Sequence, residues 1–357
     1  MEAEQRDEDR TADDATVLLR TVDLVKDYPL GGGWLDRLRG QEPPKLRALG
    51  GVSLTVRTGE TLGVVGETGS GKSTLGRLIL RLEKPTSGDV EFAGESILEA
   101  SHARSRSLRQ QIQIILQDPY STLNPYQTVG SSIAEVLAVY ELCPREERRD
   151  EAARLLSLVG LPVDLIDAKP RQLSGGGLQR VSVARALAVR PKLIIADEPV
   201  SALDVSVQAQ VLNLFSSVGQ ELGLTYVFIT HDLAVVRRIS NRVAVMYLGE
   251  VVEEAATSKI FGEPLHPYTE ALLKAAPDIR AHAATRTGAA ARGEMPNPIS
   301  PPTGCPFHPR CPHAMDVCRV EAPRLRPVGE GRVVSCHLHP GSSDSSAAHG
   351  GVDRAAS

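Results

Sequence analysis

Short apolar runs of strand length alternate along the chain with stretches in which apolar residues recur at helical spacing. The strand-like runs lie at residues 17–24, 52–56, 61–65, 112–116, 193–196, 226–229 and 243–247. Between Tyr126 and Val189 the spacing is mainly helical. Because strands that alternate with helices form a sheet covered by those helices, the pattern predicts an α/β fold with a largely parallel sheet, interrupted by a helical insert.

The two ends of the chain and two internal segments do not follow this pattern. Residues 1–15 are acidic and poor in large apolar side chains, and residues 341–357 are mainly Ser, Ala, Gly and Asp. Both compositions predict disorder, as an acidic arm and a tail. Residues 30–45, with Gly-Gly-Gly and Pro-Pro, predict a surface loop, and residues 281–293 predict a linker. After Phe261 the composition shifts toward Pro, His, Cys and Arg, which indicates a separate C-terminal extension.

Composition and charge narrow the functional classes. Hydrophobic residues make up 41% and charged residues 24% of 357, which excludes disordered, collagen-like and fibrous proteins for most of the chain. The net charge is −4; residues 1–14 hold seven acids and two bases, a net of −5, so the remainder carries +1. No basic stripe typical of nucleic-acid binding is present. No apolar run reaches the roughly 18 residues of a membrane-spanning helix, and the acidic start does not resemble a signal peptide. A cytosolic protein is expected.

A glycine-rich loop follows the predicted strand at 61–65. It matches G-x-x-x-x-G-K-[ST] at every fixed position, and its residues are Gly66, Glu67, Thr68, Gly69, Ser70, Gly71, Lys72 and Ser73, followed by Thr74. Glycines let successive N–H groups point at phosphate oxygens, and the helix after the loop adds the positive end of its dipole. Lys72 supplies a charge to the β- and γ-phosphates, and Ser73 a hydroxyl to Mg²⁺. A chance turn is disfavoured by the amphipathic helix that follows, with Leu75, Leu78, Ile79 and Leu82. The loop therefore predicts a nucleoside triphosphate site.

Two carboxylates end a second apolar strand. Residues 193–196 are Leu-Ile-Ile-Ala, and Asp197 and Glu198 follow directly. Asp197 is placed to hold Mg²⁺, as acidic residues at this position do in phosphate-loop enzymes. Glu198 is placed to orient or deprotonate the attacking water. The alternative is a solvated strand end without a role.

Residues 173–177, Leu-Ser-Gly-Gly-Gly, resemble the signature motif of ATP-binding cassette (ABC) ATPases, usually Leu-Ser-Gly-Gly-Gln. They lie between the phosphate loop and the Asp-Glu strand, as they do in that family. The resemblance implies that Tyr28 stacks on adenine and that Gln117 senses Mg²⁺ and the water. It also implies that Asp204 belongs to the D-loop and that His231 is the switch histidine that holds the γ-phosphate.

One branch of the family is closer still. The segments 117–120, 123–125, 196–213, 245–249 and 266–269 resemble the oligopeptide/dipeptide importer ATPases, most of all the second (F-type) of their two ATPase subunits. This implies an ABC domain over residues 16–260, with an antiparallel β subdomain and a helical insert at about 118–190. It implies a C-terminal extension over 261–340.

The resemblance also implies how the subunit works. In this family Ser174, Gly175 and Gly176 would face the γ-phosphate held by another subunit, so ATP joins two ATPase subunits and hydrolysis releases them. The expected partners are a second, distinct ATPase subunit, two membrane permease subunits and an extracytoplasmic substrate-binding protein, with no nucleic acid. The expected location is the cytoplasmic face of the membrane, bound peripherally. Peptides are the expected cargo, with nickel among the alternatives.

One position departs from the family pattern. Gly177 stands where the signature usually has Gln. That Gln does not make the main phosphate contact, so nucleotide binding should survive its loss. The loss would either weaken coupling across the subunit interface or make the composite site that contains this signature the slower one. The hypothesis is a mild asymmetry between the two composite sites.

Four of the five cysteines crowd one late segment: Cys305, Cys311, Cys318 and Cys336. A reducing compartment disfavours structural disulfides, so metal ligation is the next interpretation. The spacing is neither that of common zinc modules nor a ferredoxin run. The peptide-importer resemblance implies a [4Fe–4S] cluster; zinc, with His308, His313, His337 or His339 replacing a thiolate, and free thiols are the alternatives. Cys143 needs no role.

Two other functional classes compete with a transporter ATPase. A soluble cassette ATPase of translation or DNA repair usually carries two cassettes or long coiled-coil insertions, and both are absent here. A regulatory subunit with an inactive site is disfavoured because Lys72, Glu198 and His231 are all present.

Overall fold

The computed structural model describes residues 17–31, 44–275, 295–329 and 331–339. The predicted arm at 1–15, linker at 281–293 and tail at 341–357 lie outside the described residues, as does most of the predicted loop at 30–45. The strands are β1 (Val17–Pro29), β2 (Lys45–Arg57), β3 (Thr61–Val65), β4 (Ser87–Phe92), β5 (Glu95–Ser96), β6 (Ile112–Ile115), β7 (Leu193–Asp197), β8 (Thr225–Thr230), β9 (Arg242–Tyr247), β10 (Glu250–Ala256), β11 (Arg326–Pro327) and β12 (Arg332–Val334).

The helices alternate with these strands over most of the described chain. They are α1 (Lys72–Ile79), α2 (His102–Gln111), α3 (Pro119–Thr122), α4 (Val129–Val139), α5 (Arg148–Leu158), α6 (Gly175–Leu187), α7 (Val205–Leu222), α8 (Leu233–Ile239), α9 (Thr257–Gly262), α10 (Pro267–Ala275) and α11 (Val317–Val320). Single 3₁₀ turns lie at Val163–Asp167, Pro170–Gln172 and His308–Arg310. None of the helices in the described ranges is long and apolar enough to cross a membrane.

The larger sheet has eight strands in the order β11-β12-β10-β9-β3-β8-β7-β6. The five strands from β9 to β6 run parallel, and β10, β12 and β11 add to one edge in antiparallel orientation. Val65 at the end of β3 pairs with Thr230, and Asp197 at the end of β7 pairs with Ile229. The carboxyl ends of three central strands therefore meet at one edge, where ligands bind in open α/β sheets.

The smaller sheet is antiparallel, with strand order β2-β1-β4-β5. Its inner face alternates as the sequence predicts: Val52, Leu54 and Val56 are buried, at 1%, 5% and 1% exposure. These side chains pack with α1 and with one face of the larger sheet in a shared apolar cluster. One prediction for α1 was wrong: the helix ends at Ile79, and Leu82 is 66% exposed instead of facing the core.

Between β6 and β7 the regular elements of the described chain are all helices or 3₁₀ turns, from α3 to α6. Apolar residues of α4, α5 and α6 pack against α7 and the far face of the larger sheet. Ser174 caps α6, because its Oγ accepts a hydrogen bond from the Gly177 amide. The insert predicted at about 118–190 stays a prediction as a division of the chain.

Residues 295–329 and 331–339, called the Cys-rich segment below, pack beside the carboxyl ends of β3 and β9. Strand β12 pairs with β10, and the rings of Tyr247, Tyr268 and Phe307 contact each other at centroid distances of 4.6 to 5.4 Å. This aromatic cluster joins β9 and α10 to the Cys-rich segment, which places that segment next to the phosphate loop.

Candidate nucleotide-binding and catalytic site

The phosphate loop is held tightly by the sheet beneath it. Gly66 closes β3, and a Cβ there would lie 2.2 Å from the carbonyl oxygen of Met246. Gly71 has φ of 101°, and a Cβ there would lie 2.5 Å from the carbonyl oxygen of Ala48. Any other residue would collide with backbone at both positions, so the glycines are required by packing as well as by loop curvature.

The Lys72 ammonium lies inside the loop. Its Nζ donates to the carbonyl oxygens of Gly66 and Glu67 at 2.8 and 2.9 Å, and to Ser70 Oγ at 3.3 Å. The residue is only 5% exposed, and burial lowers the pKa of its ammonium, against the opposing charges of Glu198, Asp197 and Glu67. A cation confined at this point is what the β- and γ-phosphates of a nucleotide require.

Ser73 and Asp197 meet as the sequence predicts. Ser73 Oγ donates to Asp197 Oδ1 at 3.2 Å, which joins the start of α1 to the end of β7. Burial raises the pKa of Asp197, while the hydrogen bond from Ser73 opposes the shift. Two oxygen ligands beside the phosphate loop are the donor set that Mg²⁺ prefers, so these residues fit the predicted metal.

Glu198 and His231 form a second pair at the same edge. Nδ1 of His231 lies 2.9 Å from Oε1 of Glu198. The Glu198 backbone has φ of 48°, and its amide donates to the carbonyl of Ile229 on β8. A left-handed conformation is uncommon for residues other than Gly, Asn and Asp and costs free energy, so the fold maintains it against a local preference.

Tyr28 lies at the end of β1, beside the start of α1. Its hydroxyl donates to Glu83 Oε2 at 2.5 Å, and Lys26 Nζ lies 4.9 Å from the ring centroid. Burial, together with Glu83, raises the pKa of the Tyr28 hydroxyl, and a hydrogen bond with Thr74 opposes that shift. Tyr28 therefore lies near Thr74, the residue that follows the phosphate-loop motif, and its contact with adenine stays a prediction.

The signature residues form the start of α6 and not part of the phosphate-loop cluster. Within the described ranges, Ser174, Gly175 and Gly176 make no hydrogen bond to residues 66–74. A Cβ at Gly176 would lie 2.3 Å from Cγ1 of Val207, so this glycine allows α6 to approach α7 closely.

Gln117 and Asp204 are also apart from the cluster. Gln117 follows the end of β6, its side chain is exposed, and it makes no hydrogen bond in the part of the chain that the structure describes. Asp204 precedes α7, is exposed, and does not cap that helix with its side chain. Their predicted roles stay predictions.

The four cysteines of the Cys-rich segment line one small cavity, together with histidines that include His308, His313 and His337. All four are free thiols, and burial raises the pKa of Cys305 to about 11. Within the described ranges, no group of three or more His, Cys, Asp or Glu side chains is arranged to hold a single metal ion. The predicted cluster and its zinc alternative therefore both stay predictions.

Two residues that the sequence did not single out contact the phosphate loop. Arg310 makes a two-pronged ion pair with Glu67, with N···O distances of 2.7 and 2.9 Å. The Glu67 amide donates to the Tyr268 hydroxyl oxygen at 2.9 Å. Tyr268 lies within a segment that resembles the importer branch, but no local signal relates Arg310 to a loop 243 residues away.

Two family profiles match the chain. The profile described as ABC transporter matches residues 49–201, and the one described as oligopeptide/dipeptide transporter, C-terminal region, matches residues 252–318.

Whole-length relatives are similar at 44–49% identity. A probable peptide ABC transporter ATP-binding protein of Sinorhizobium fredii is 49% identical over 90% of each chain. The oligopeptide transport ATP-binding protein AppF of Bacillus subtilis is 44% identical over 92% of this chain and 99% of its own. The dipeptide transport ATP-binding protein DppF of Escherichia coli is 45% identical over 89% of this chain and 93% of its own.

Solved structures share the fold of the cassette. The cbiO1 component of the transporter complex cbiONQ from Clostridium perfringens superposes with a TM-score of 0.60 at 29% identity, over 70% of this chain and 92% of that one. The cassette MJ0796, in a dimeric post-hydrolysis state bound to ADP and Pi, superposes with a TM-score of 0.58 at 30% identity, over 67% of this chain and 99% of that one.

Proposed function

Because the chain belongs to the ABC transporter ATPases, in their oligopeptide/dipeptide branch, we propose that it hydrolyses ATP to energise the import of di- and oligopeptides. One observation carries the proposal: Lys72, Ser73, Asp197, Glu198 and His231 meet at one edge of the sheet in a chain 44–49% identical to peptide-transport ATP-binding proteins. A soluble ATPase of translation or DNA repair is disfavoured because residues 252–318 match the transporter C-terminal region.

The proposal gives each residue a step. Loop amides and Lys72 bind the β- and γ-phosphates, and Ser73 and Asp197 would hold Mg²⁺, which would neutralise charge on the phosphate oxygens. A water in line with the γ-phosphate gives its proton to the Glu198 carboxylate as the new P–O bond forms and the bond to ADP breaks. His231 holds that carboxylate in place through Nδ1, and its Nε2 is the ring nitrogen left for the γ-phosphate.

The signature acts on a second subunit. Ser174 Oγ accepts from its own helix, so its O–H donor is left to bind a γ-phosphate, and the amides at the start of α6 add the positive end of the helix dipole. This donor set faces away from the chain's own loop in the proposal and binds ATP held by a distinct partner ATPase. Gln117 and Asp204 act at the same subunit interface.

The domains of the chain also have proposed roles in coupling ATP hydrolysis to transport. Residues 16–260 form the ABC domain, its helical insert at 118–190 contacts one of two permease subunits, and residues 261–340 form the extension. The subunit thus works on the cytoplasmic face of the membrane, and a substrate-binding protein delivers peptide from the other side.

Cys305, Cys311, Cys318 and Cys336 hold a [4Fe–4S] cluster in this proposal. The support is that all four line one small cavity, since four thiolates are a donor set that holds such clusters. One ring nitrogen in each of His308, His337 and His339 contacts a backbone carbonyl oxygen at 3.0 Å. When bound, the cluster would cross-link the Cys-rich segment and would supply a centre that accepts and donates one electron.

Two experiments test these points. Affinity purification of the tagged chain from solubilised membranes should recover a second ATPase subunit and two permeases; recovery of ribosomal or repair proteins instead would contradict the proposal. Anaerobically purified protein should contain about four irons per chain and show the visible absorption of an Fe–S protein. A colourless protein that contains zinc, or no metal, would contradict the cluster.

A further inference from the structure

One residue of the phosphate loop, Glu67, is held through all three of its polar groups. Its side-chain carboxylate accepts two hydrogen bonds from Arg310, at 2.7 and 2.9 Å. Its amide donates to the Tyr268 hydroxyl at 2.9 Å, and its carbonyl accepts from Lys72 Nζ at 2.9 Å. Two of the three partners come from the C-terminal part of the chain and the third is the phosphate-binding cation.

Arg310 is built into its position. Its side chain is 6% exposed, and its guanidinium carbon lies 5.9 Å from the ring centroids of both Tyr247 and Phe307. Hydrogen bonding to the Glu67 carboxylate raises the pKa of the guanidinium. A planar fork between aromatic rings, matched to one carboxylate, is a geometry that Lys cannot reproduce with a single ammonium.

The backbone around Arg310 belongs to the Cys-rich segment. Arg310 ends the 3₁₀ turn His308–Arg310, whose amides bond back to carbonyls at Cys305 and Phe307, and it directly precedes Cys311. Since Cys305 and Cys311 both line the shared cavity, the fold of that cavity sets where the guanidinium lies.

We infer that Arg310 is a positioning residue of the ATP site, which fixes Glu67 and through it the phosphate-loop backbone and Lys72. The inference rests on the proposed function, because it concerns the ATP that this loop binds. A loop that is already ordered loses less conformational entropy on binding, so the Arg310–Glu67 pair increases ATP affinity. The Cys-rich segment then contributes to nucleotide binding without touching the nucleotide.

Equilibrium ATP binding to the full chain, measured by calorimetry in EDTA to prevent hydrolysis, tests this. Arg310→Ala should raise the Kd for ATP about tenfold, since it removes a charge-assisted two-pronged contact. Arg310→Lys should recover only part of the loss. Tyr268→Phe, which keeps the buried ring but removes the acceptor for the Glu67 amide, should raise Kd by a few-fold.

The matched control is Arg149→Ala. Arg149 makes a similar two-pronged ion pair with Asp167 at 2.9 and 2.7 Å, but that pair is exposed and lies in the helical region. Its removal should leave Kd unchanged. Glu67→Gln should raise the Kd for ATP as much as Arg310→Ala does. The double variant Glu67→Gln with Arg310→Ala should bind ATP no more weakly than either single variant.

The outcomes separate the inference from the proposed function. If wild type binds ATP and Arg310→Ala binds it equally well, or more tightly, the positioning role is wrong. A lower melting temperature with unchanged Kd would show a structural role only and would also overturn it. Failure of the wild-type chain itself to bind ATP would contradict the proposed function instead. Should Arg310→Ala not fold, Tyr268→Phe and Glu67→Gln test the contact from its other side, and an unchanged Kd in both would overturn the inference.

Discussion

Nδ1 of His231 and Oε1 of Glu198 lie 2.9 Å apart, and this contact joins the residue that follows β8 to the residue that follows β7. The two side chains come from neighbouring parallel strands, so the sheet itself sets their separation. Glu198 is also held at φ of 48°, with its amide bonded to β8. The contact with His231 and the strained backbone together fix the Glu198 carboxylate at the edge of the larger sheet that carries the phosphate loop.

Glu198→Gln should stop hydrolysis while leaving ATP binding intact, because the amide cannot accept the proton of the attacking water. Loss of a positioned general base typically lowers the rate by about 10²–10⁴-fold. Phosphate release by the complex measures the rate, and size-exclusion chromatography with ATP should show that ATP-trapped pairs of ATPase subunits accumulate.

The exposed Glu221 near the end of α7 offers a matched control for that variant. Glu221→Gln makes the same chemical change away from the site and should hydrolyse ATP at the wild-type rate. Turnover of Glu198→Gln equal to that of Glu221→Gln would remove Glu198 from the role of base.

Lys72→Ala should weaken ATP binding because the loop loses its buried cation. Hydrogen bonds to charged groups contribute about 1.5–3 kcal/mol each, so the Kd should rise by roughly 10- to 100-fold. Lys192→Ala is the control, since Lys192 is exposed and directly precedes β7, at the opposite end of that strand from Asp197. Equal Kd values for the two variants would contradict the assignment of Lys72.

Gly176→Ala should destabilise the fold, because its Cβ would lie 2.3 Å from Cγ1 of Val207. Overpacking of this kind costs about 1–3 kcal/mol, and the better helix propensity of Ala returns about 1 kcal/mol. Chemical unfolding measures the difference. Gly175→Ala is the control, since its Cβ would lie 3.3 Å from the flexible end of Leu203, and it should be neutral or stabilising.

The double variant Gly176→Ala with Val207→Ala tests whether the loss of stability comes from a clash between the added Cβ and Val207. Removal of the Val207 methyl groups should restore much of the lost stability. A double variant less stable than Gly176→Ala alone would show that close approach of α6 and α7 is not what the glycine provides.

Gly177→Gln should raise ATP turnover in the reconstituted complex, because it restores the usual signature residue. The site has room for it: a Cβ would meet Leu173 at 3.4 Å, an ordinary contact distance, and the amide that bonds Ser174 Oγ is retained. Single-turnover rates at each composite site should become more similar. Rates unchanged at both sites would refute the proposed asymmetry.

The sequence predicted the phosphate-loop cluster well because every determinant is local. Each catalytic residue directly follows a short buried strand, and parallel strands bring their carboxyl ends to one edge whatever the chain does between them. Ser73 and Asp197, 124 residues apart, therefore meet at 3.2 Å as expected. The end of α1 was harder to predict, since Leu82 fits the helical spacing but lies beyond the last turn.

The contact between Arg310 and Glu67 could not be predicted in this way. Arg310 is one of several arginines in a segment without long strands or helices, and its position depends on the turn between Cys305 and Cys311 and on aromatic packing against β9 and α10. No periodicity encodes such a contact. Gln117 shows the opposite case: its motif is clear from the sequence, although its side chain makes no hydrogen bond to the site residues that the structure describes.

Peptide uptake by the complex reconstituted in proteoliposomes tests most directly whether ATP hydrolysis at this site drives peptide import. A labelled dipeptide or oligopeptide, presented with the substrate-binding protein, should accumulate with ATP on the side of the ATPase subunits. Uptake should fall to background with Glu198→Gln and stay at the wild-type level with Glu221→Gln. Peptide uptake that continues in the Glu198→Gln complex, or wild-type ATP turnover without any peptide uptake, would contradict the proposal that ATP hydrolysis at this site drives peptide import.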